Sequence, residues 1–169
     1  MATLVLTLVG DDRAGLVQAV ADAVTAHGGN WERSELAELA GAFAGIVLVS
    51  VPDSAQAALV DELNALSGLL HITPHSGAPV AEADAGERFV FTVLGNDQPG
   101  IVREITHAIA RRGLSIDRFS SRTLEAPMAG GTLFEARVSV RIEDRAGLSE
   151  AVDELERLAG EIQVDLTVE

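Results

Sequence analysis

Residues 9–17 read VGDDRAGLV and residues 94–102 read LGNDQPGIV, so one pattern occurs twice in this chain, 85 positions apart. Each copy follows an apolar run of strand length and opens a run with helical periodicity. The chain is therefore predicted to contain two copies of one supersecondary unit. Such a duplication directs the functional question towards paired sites and the interface between like domains.

The composition excludes several kinds of chemistry. The 169 residues include no cysteine, no lysine and no tyrosine, and all twelve basic residues are arginine. Without cysteine the chain has no disulfide, thiolate metal site or cysteine nucleophile. Without lysine it has neither a Schiff base nor a Walker-type phosphate loop, and no GxSxG, HExxH or GxGxxG motif occurs. The sequence therefore predicts no enzyme activity and no cofactor.

The charge is strongly acidic and is shared by both halves. The net charge is −14, and residues 1–80 carry nine acidic and two basic residues, which gives −7 for each half. A phosphate backbone would be repelled by such a chain, so direct nucleic-acid binding is not expected. No stretch of about 18 apolar residues and no basic-then-apolar amino terminus is present. A cytoplasmic protein without membrane association is predicted.

The first copy has the order strand, helix, strand, strand, helix, strand. Its first strand is a continuous apolar run, which suggests cover on both faces. The first helix has apolar residues at three- and four-residue steps and stops at a glycine pair, and Asp53 or Ser54 is available to cap the second helix. The predicted strands are residues 3–9, 30–39, 44–51 and 69–73, and the two helices are marked by the apolar residues Val17, Val20, Ala21 and Val24 and by Leu59, Leu63 and Leu66.

The second copy repeats this order more clearly. Residues 134–142 alternate strictly, with apolar side chains on one face and polar side chains on the other, as in a strand with one buried face. Leu148, Val152, Leu155 and Leu158 mark its second helix. Matching Ser50 to Ser139 gives an offset of 89, so the second hairpin loop is predicted to be about four residues longer than the first.

The order predicts an α+β fold of two ferredoxin-like βαββαβ domains, each an antiparallel sheet with its helices on one face. Residues 75–87 are rich in Ala, Gly, Pro and acidic residues without apolar periodicity, which is typical of a linker. The predicted domains are therefore residues 1–74 and 88–169. This fold alone does not assign a function.

The turn that opens each first helix has a direct physical interpretation. Asp12 and Asp97 can cap the new helices, and Gly15 and Gly100 leave the free N–H groups of the first turn uncovered. Together with the helix dipole these groups form a carboxylate site, and nearby Asp or Asn oxygens suit an ammonium group. The alternative is that the aspartate caps, the glycine packs and no ligand binds.

The two turns, each followed about fifteen residues later by a polar and a bulky apolar residue (Asn30-Trp31 and Ser115-Ile116), resemble those of the ACT domain family of small-molecule regulatory modules. The tandem pair resembles the glycine cleavage system transcriptional repressor group. In ACT modules that bind amino acids, the resemblance implies ligands held where two domains meet, by this turn and the residue that opens strand two. Carried over by position, the sites are Gly10, Asp11, Asp12, Gly15, Leu16 and Asn30, and Gly95, Asn96, Asp97, Gly100, Ile101 and Ser115. Ser115 departs from the usual asparagine, and Ala14 from the usual proline.

The remaining candidate residues give weaker indications of function. His71 and His75 have an i, i+4 spacing, but Pro74 prevents the helical face that zinc ligation would need, so no metal site is predicted. Solvent-facing or capping roles are expected for His27 and His107. Arg118, Arg122, Arg137 and Arg141 would line the polar face of the second sheet, as a solvated face or as a docking surface for an acidic partner. Residues 46–51 are apolar on both sides, so the first sheet is expected to pack against another domain or subunit.

The sequence favours a non-enzymatic regulatory protein that senses an amino acid and passes its state to a regulatory protein partner. A role in transcriptional control of amino acid metabolism would use protein contact, because a helix-turn-helix region is lacking. A homodimer is expected. The alternatives are a dimerising interaction scaffold with vestigial ligand pockets and a small enzyme.

Overall fold

The computed structural model describes residues 1–77, 87–126, 130–142, 152–153, 156–157, 160 and 164–168. The chain divides into two compact units, Met1–Ala83 and Asp84–Glu169, which we call the first and second domains. Among the described residues, no helix is long and apolar enough to span a membrane.

The first domain is a four-stranded antiparallel sheet with two helices. Its strands lie in the order β2-β3-β1-β4, and short 3-10 turns flank the second helix at Asp53–Ala55 and Leu66–Gly68. The elements are β1 (Ala2–Asp11), α1 (Leu16–Ala26), β2 (Asn30–Leu39), β3 (Ala42–Val51), α2 (Gln56–Ala65) and β4 (His71–Ser76).

The second domain repeats this topology, with strand order β6-β7-β5-β8. Its elements are β5 (Glu87–Asn96), α3 (Ile101–Arg111), β6 (Ser115–Glu125), β7 (Thr132–Ile142) and β8 (Val164–Val168). Residues 152–153, 156–157 and 160 are helical, whereas Leu148, Leu155 and Leu158 of the predicted second helix lie outside the described residues. The prediction of two ferredoxin-like βαββαβ domains is confirmed.

Each domain has its own core on the helix-bearing face of its sheet. Alternate residues of β1 and β3, such as Leu6 and Val49, are fully buried against Val20 of α1 and Leu59 of α2. In the second domain Phe91 and Val138 meet Ile105 in the same way. Since burying one such side chain contributes about 1.5–3 kcal/mol, these period-two apolar positions fix which face of each sheet is covered.

Three local predictions are wrong. The last strand of the first domain is His71–Ser76 instead of residues 69–73, and Pro74 fits there because β4 lies at a sheet edge. Neither Asp53 nor Ser54 caps a helix; the Asp53 carboxylate lies 3.0 Å from the amino-terminal nitrogen. Finally, Val51 pairs with Ala2 and Ile142 with Glu87, so the strand offset is 91 instead of 89. The second hairpin loop, residues 126–131 against 40–41, is nevertheless four residues longer, as predicted, because β6 and β7 are each one residue longer than β2 and β3.

Both strands that flank the predicted linker extend into it. β4 runs through Ser76 and β5 begins at Glu87, so the sheets include three residues of the stretch 75–87. The exact domain boundaries stay a prediction.

Candidate functional site

The two repeated turns have the same backbone geometry. In each, the residue before the helix is a left-handed glycine, Gly15 at φ 89° and Gly100 at φ 94°, and α1 and α3 begin at the next residue, Leu16 and Ile101. A Cβ at either glycine would meet nothing within 4 Å. Glycine is therefore required by the backbone angle and not by space, since a left-handed L-residue costs about 1–2 kcal/mol.

The prediction that Asp12 and Asp97 cap the helices is wrong. No side chain caps either helix in the described part of the chain. Instead, the Asp12 N–H donates to the Gly41 carbonyl at 2.9 Å and the Asp97 N–H to the Thr132 carbonyl at 2.8 Å. These aspartates therefore extend the sheet past Asp11 and Asn96, and their carboxylates stay exposed and available.

The first glycine of each pattern is a packing feature. A Cβ on Gly10 would lie 2.7 Å from the Leu69 carbonyl oxygen, which is closer than real contacts allow. Gly95 is the buried equivalent in β5. Gly10 thus lets the end of β1 approach the segment before β4, and its role towards a ligand stays a prediction.

The helix openings leave backbone donors uncovered. In the first backbone hydrogen bond of each helix, the Ala19 N–H donates to the Gly15 carbonyl at 2.9 Å and the Glu104 N–H donates to the Gly100 carbonyl at 3.0 Å. In α1 the N–H groups of Val17 and Gln18 have no partner among the described residues. In α3 the Ile101 N–H donates to the Gln98 carbonyl at 3.3 Å, and only the N–H groups of Val102 and Arg103 have no described partner. With the helix dipole they can hold a carboxylate. The exposed carboxylates of the preceding aspartates can hold an ammonium group.

Asn30 and Ser115 lie far from these turns within their own domains. Asn30 pairs with Ser50, which pairs with Thr3 at the start of β1, whereas the turn follows Asp11 at its end. Thr3 and Asp11 are eight residues apart along β1, so at about 3.3 Å per residue Asn30 lies about 26 Å from the turn. The reason is topological: β2 runs parallel to β1 across the intervening β3, so both begin at the same end. Ser115 has the same position in the second sheet.

Both domains carry a carboxylate on a β-bulge that the sequence reading missed. The register shifts at Glu32 in the first domain and at Asp117 in the second. Glu32 accepts hydrogen bonds from Ser50 Oγ at 2.6 Å and Asn30 Nδ2 at 3.0 Å, and these bonds lower the pKa of Glu32, with Ser50 as the larger cause. Asn30 therefore already has a partner inside its domain.

Asp117 is held by charge instead. Its carboxylate lies 2.7 Å from Arg141 Nη2 and 3.1 Å from Arg88 Nε, and only 15% of its side chain is exposed. The two bulge carboxylates could have been recognised from the sequence, because in both copies an acidic residue follows the strand-opening polar residue by two positions.

A cavity of about 580 Å³ lies against α3 in the second domain. It includes Ser115 but none of the turn residues predicted for that site. Its described lining comes from one face of α3 and the opening of β6: Arg103, Thr106, His107, Ile109, Ala110, Leu114, Ser115 and Ile116. Arg103 and the cavity were not singled out by the sequence.

The faces of the two sheets that carry no helices differ. In the first, Val9 and Ile46 are about half exposed, at 48% and 49%. In the second, Arg118, Arg122, Arg137 and Arg141 share this face, as predicted, and Arg122 pairs with Glu135. The association of Glu135 with Arg122 raises the pKa of that guanidinium.

The other histidines have local roles. His27 is the residue that ends α1, and its Nε2 lies 2.7 Å from Glu62 Oε2. His71 and His75 are opposite Val9 and Val5 in β4. Four residues of strand separate them by about 13 Å, which is too far for one metal ion.

Comparison with known proteins identifies a family for each half of the chain. Two family models match, each described as an ACT domain, over residues 2–75 and 89–160. An unknown protein from Galdieria sulphuraria has a similar structure, with 30% sequence identity, a TM-score of 0.87, and coverage of 99% of this chain and 97% of that chain. No curated protein matches the sequence at a significant level.

A second solved structure is provisionally assigned as a glycine cleavage system transcriptional repressor. It is 22% identical, with a TM-score of 0.73, and the match covers 99% of this chain and 96% of that chain. At this identity the likeness is one of fold, and it extends over both domains.

Proposed function

This chain belongs to the ACT domain family, with two such domains in tandem, and we propose that it is a cytoplasmic, non-enzymatic regulatory protein that senses an amino acid. ACT domains are regulatory modules. In the proposal the amino acid binds at the repeated turns, with its carboxylate at the helix opening and its ammonium group at the exposed aspartates.

The observation that carries this proposal is the doubled turn. Both helices open on a left-handed glycine with uncovered N–H groups, and both turns place Asp or Asn carboxylate and amide groups beside them. An amino acid offers a negative and a positive group at a matching separation. A chain that used the turn only to change direction would need the glycine but not the neighbouring aspartates, which cap nothing.

The proposal includes a homodimer. The turn and the strand-opening residue lie about 26 Å apart within one domain, so a ligand that contacts both draws part of its contacts from another ACT domain. In the proposed homodimer that domain belongs to a second copy of the chain. Ligand binding would then favour one state of the dimer, which is what a switch requires.

The proposed output is contact with a regulatory protein. The net charge of −14 opposes direct contact with DNA. A role in transcriptional control of amino acid metabolism is supported by the resemblance of the paired turns, and it agrees with the name of one structural neighbour.

A thermal-shift screen of the twenty amino acids at millimolar concentration tests the proposal. At ten times its dissociation constant a ligand adds about 1.4 kcal/mol to stability, which moves the midpoint by a few degrees. Asp97→Ala is expected to reduce the shift if the second turn binds. Because Asp97 does not cap α3, its loss needs no large correction for helix stability. Absence of any shift would contradict amino acid sensing.

A dimerising scaffold with vestigial pockets is the second candidate. It is favoured by the hydrogen bond between Asn30 Nδ2 and Glu32 Oε1 at 3.0 Å, which engages the residue proposed to bind ligand. Under this reading analytical ultracentrifugation shows a dimer whose dissociation constant is the same with and without every amino acid. A ligand-dependent change in dimer affinity would exclude the scaffold.

A further inference from the structure

The cavity against α3 has features that the proposed turn sites do not use. Its volume of about 580 Å³ lies within the range of small-molecule sites. Arg103 and His107 are four residues apart on α3, so their side chains project from the same face of the helix. Ser115 lines the same cavity from the opening of β6.

The polar part of the cavity is suited to an anion. Arg103 is always charged and presents five donors. Neither the guanidinium of Arg103 nor the imidazole of His107 makes a hydrogen bond or ion pair with a described residue, although acidic residues outnumber basic ones by 26 to 12 in the chain. No acidic side chain is found among the described lining residues. The cavity is thus a local cationic concavity on an acidic protein.

The remaining lining is apolar. Leu114, Ile116 and Ala110 contribute hydrocarbon surface, whereas Ile109 is buried in the core of the domain. A bare inorganic anion would leave this surface in water. A ligand with one anionic group and an aliphatic part would satisfy both regions.

The equivalent positions of the first domain differ in each of these respects. Residues 85 positions earlier replace Arg103 by Gln18, His107 by Asp22 and Ile116 by the larger Trp31. Trp31 packs against the first core as Ile116 does against the second. The cationic character therefore belongs to the second domain, although the backbone repeats.

We infer that the second domain binds a small aliphatic carboxylate in this cavity, with Arg103 as its main anchor and His107 and Ser115 as additional donors. This rests on the proposed function in that the protein senses a small molecule, and it adds a place and a ligand class that do not depend on the turns.

Isothermal titration calorimetry on the full chain tests the inference with three probes: 4-methylpentanoate, the uncharged 4-methylpentan-1-ol, and inorganic phosphate. The carboxylate is expected to bind more tightly than either of the others. Arg103→Gln is expected to weaken it about tenfold to hundredfold, as for loss of a charge-assisted hydrogen bond. His107→Asn should have a smaller effect.

Arg111→Gln is the matched control, because Arg111 is on the same helix but does not line the cavity. It should leave carboxylate affinity unchanged. Unaltered affinity in Arg103→Gln, equal affinity for the alcohol or for phosphate, or no binding of any probe would overturn the inference.

The same variants separate this inference from the proposed function. An amino acid response that is lost in Asp97→Ala and kept in Arg103→Gln, without carboxylate binding, overturns the cavity and leaves the turn site. Carboxylate binding that is lost only in Arg103→Gln, with no amino acid response, supports the cavity and overturns amino acid sensing.

Discussion

The first and second domains share a backbone and differ in what surrounds it. The left-handed glycine, the register of the strands and the bulge after the strand opening recur at equivalent positions. The side chains around them do not, since Ser50 and Asn30 hold the bulge carboxylate of one domain and two arginines hold that of the other. The two copies therefore share the backbone features that determine the chain path and differ in the side chains that face solvent or a ligand.

The helix-free sheet faces follow the same rule. Where β3 carries Ile46, opposite Thr7 of β1, β7 carries Arg137, opposite Thr92 of β5. An apolar face half exposed to water suits a protein contact, whereas an arginine face with paired carboxylates is compatible with solvent. The helix-free faces of the two domains are therefore expected to have different roles, a protein contact in the first and a solvated face in the second.

The largest expected effect concerns a position where equivalent strands of the two domains carry different residues. Gly45 pairs with Leu8, and Ala136 holds the equivalent place opposite Val93. A Cβ on Gly45 would overlap the Glu35 carbonyl oxygen. Gly45→Ala is expected to destabilise the first domain by about 3 kcal/mol. Urea unfolding followed by Trp31 fluorescence reports this domain alone, since Trp31 is the sole tryptophan; an unchanged midpoint would show that the strands have room.

The next test concerns the feature that the domains share. Gly15→Ala and Gly100→Ala should each cost about 1–2 kcal/mol, because both glycines are left-handed and both have space for a methyl group. Circular dichroism and Trp31 fluorescence together separate the two transitions. Clearly unequal losses would contradict the equivalence of the turns.

The charge of Asp117 at the bulge of the second domain is expected to contribute about 1 kcal/mol to the free energy of unfolding. Asp117→Asn removes the charge that two arginines contact while keeping the shape of the side chain. The loss should shrink in 1 M salt because Arg88 and Arg141 are partly exposed. Glu32→Gln, in which the donors are neutral, should show no such salt dependence. Equal salt responses in the two variants would remove this difference between the domains.

A smaller gain is expected at the hairpin of the first domain. Ala40 has φ 52° and precedes Gly41 at φ 84°, the backbone of a turn that favours Asn-Gly. Ala40→Asn should stabilise the first domain by about 0.5–1 kcal/mol in urea unfolding. Asn at Thr123, within β6, is the mismatched control and should give no gain.

The smallest effect is a dependence on pH. Hydrogen bonds lower the pKa of Glu32 below its ordinary value of 4.5, so the native state favours the carboxylate. This stability is present above the unfolded pKa and is lost as the pH falls through the lower folded value. Glu32→Gln should flatten this part of the acid unfolding curve, read by Trp31 fluorescence. An identical curve would indicate that the bonds do not persist in solution.

The sequence predicted the fold well because its strongest signals are local. The alternation of residues 134–141 and the helical stripe that includes Ile101, Ile105 and Ile109 each report one buried face, and the structure confirms both. The glycine before each helix was placed inside the first turn, after an aspartate cap, whereas it is the residue that directly precedes the helix. Its left-handed angle was not foreseen, because an aspartate three residues earlier resembles a cap.

The candidate site was harder to predict because it depends on distance across the sheet. Matching Ser50 to Ser139 by residue type gave an offset of 89, whereas strand pairing places Arg141 opposite Arg88 and gives 91. The separation of Asn30 from the turn follows from strand direction, and the cavity is formed by residues of two elements, α3 and the opening of β6, with the segment between them. None of these has a signature in the spacing of residues along the chain.

The two bulges also bear on how the protein behaves at high concentration. β2 and β6 are long strands at the edges of their sheets, and an uninterrupted edge is a template for pairing with other chains. A bulge breaks the row of donors and acceptors and increases the local twist. Glu32 and Asp117 add a charge at that point, so each domain carries its own protection against edge-to-edge polymerisation.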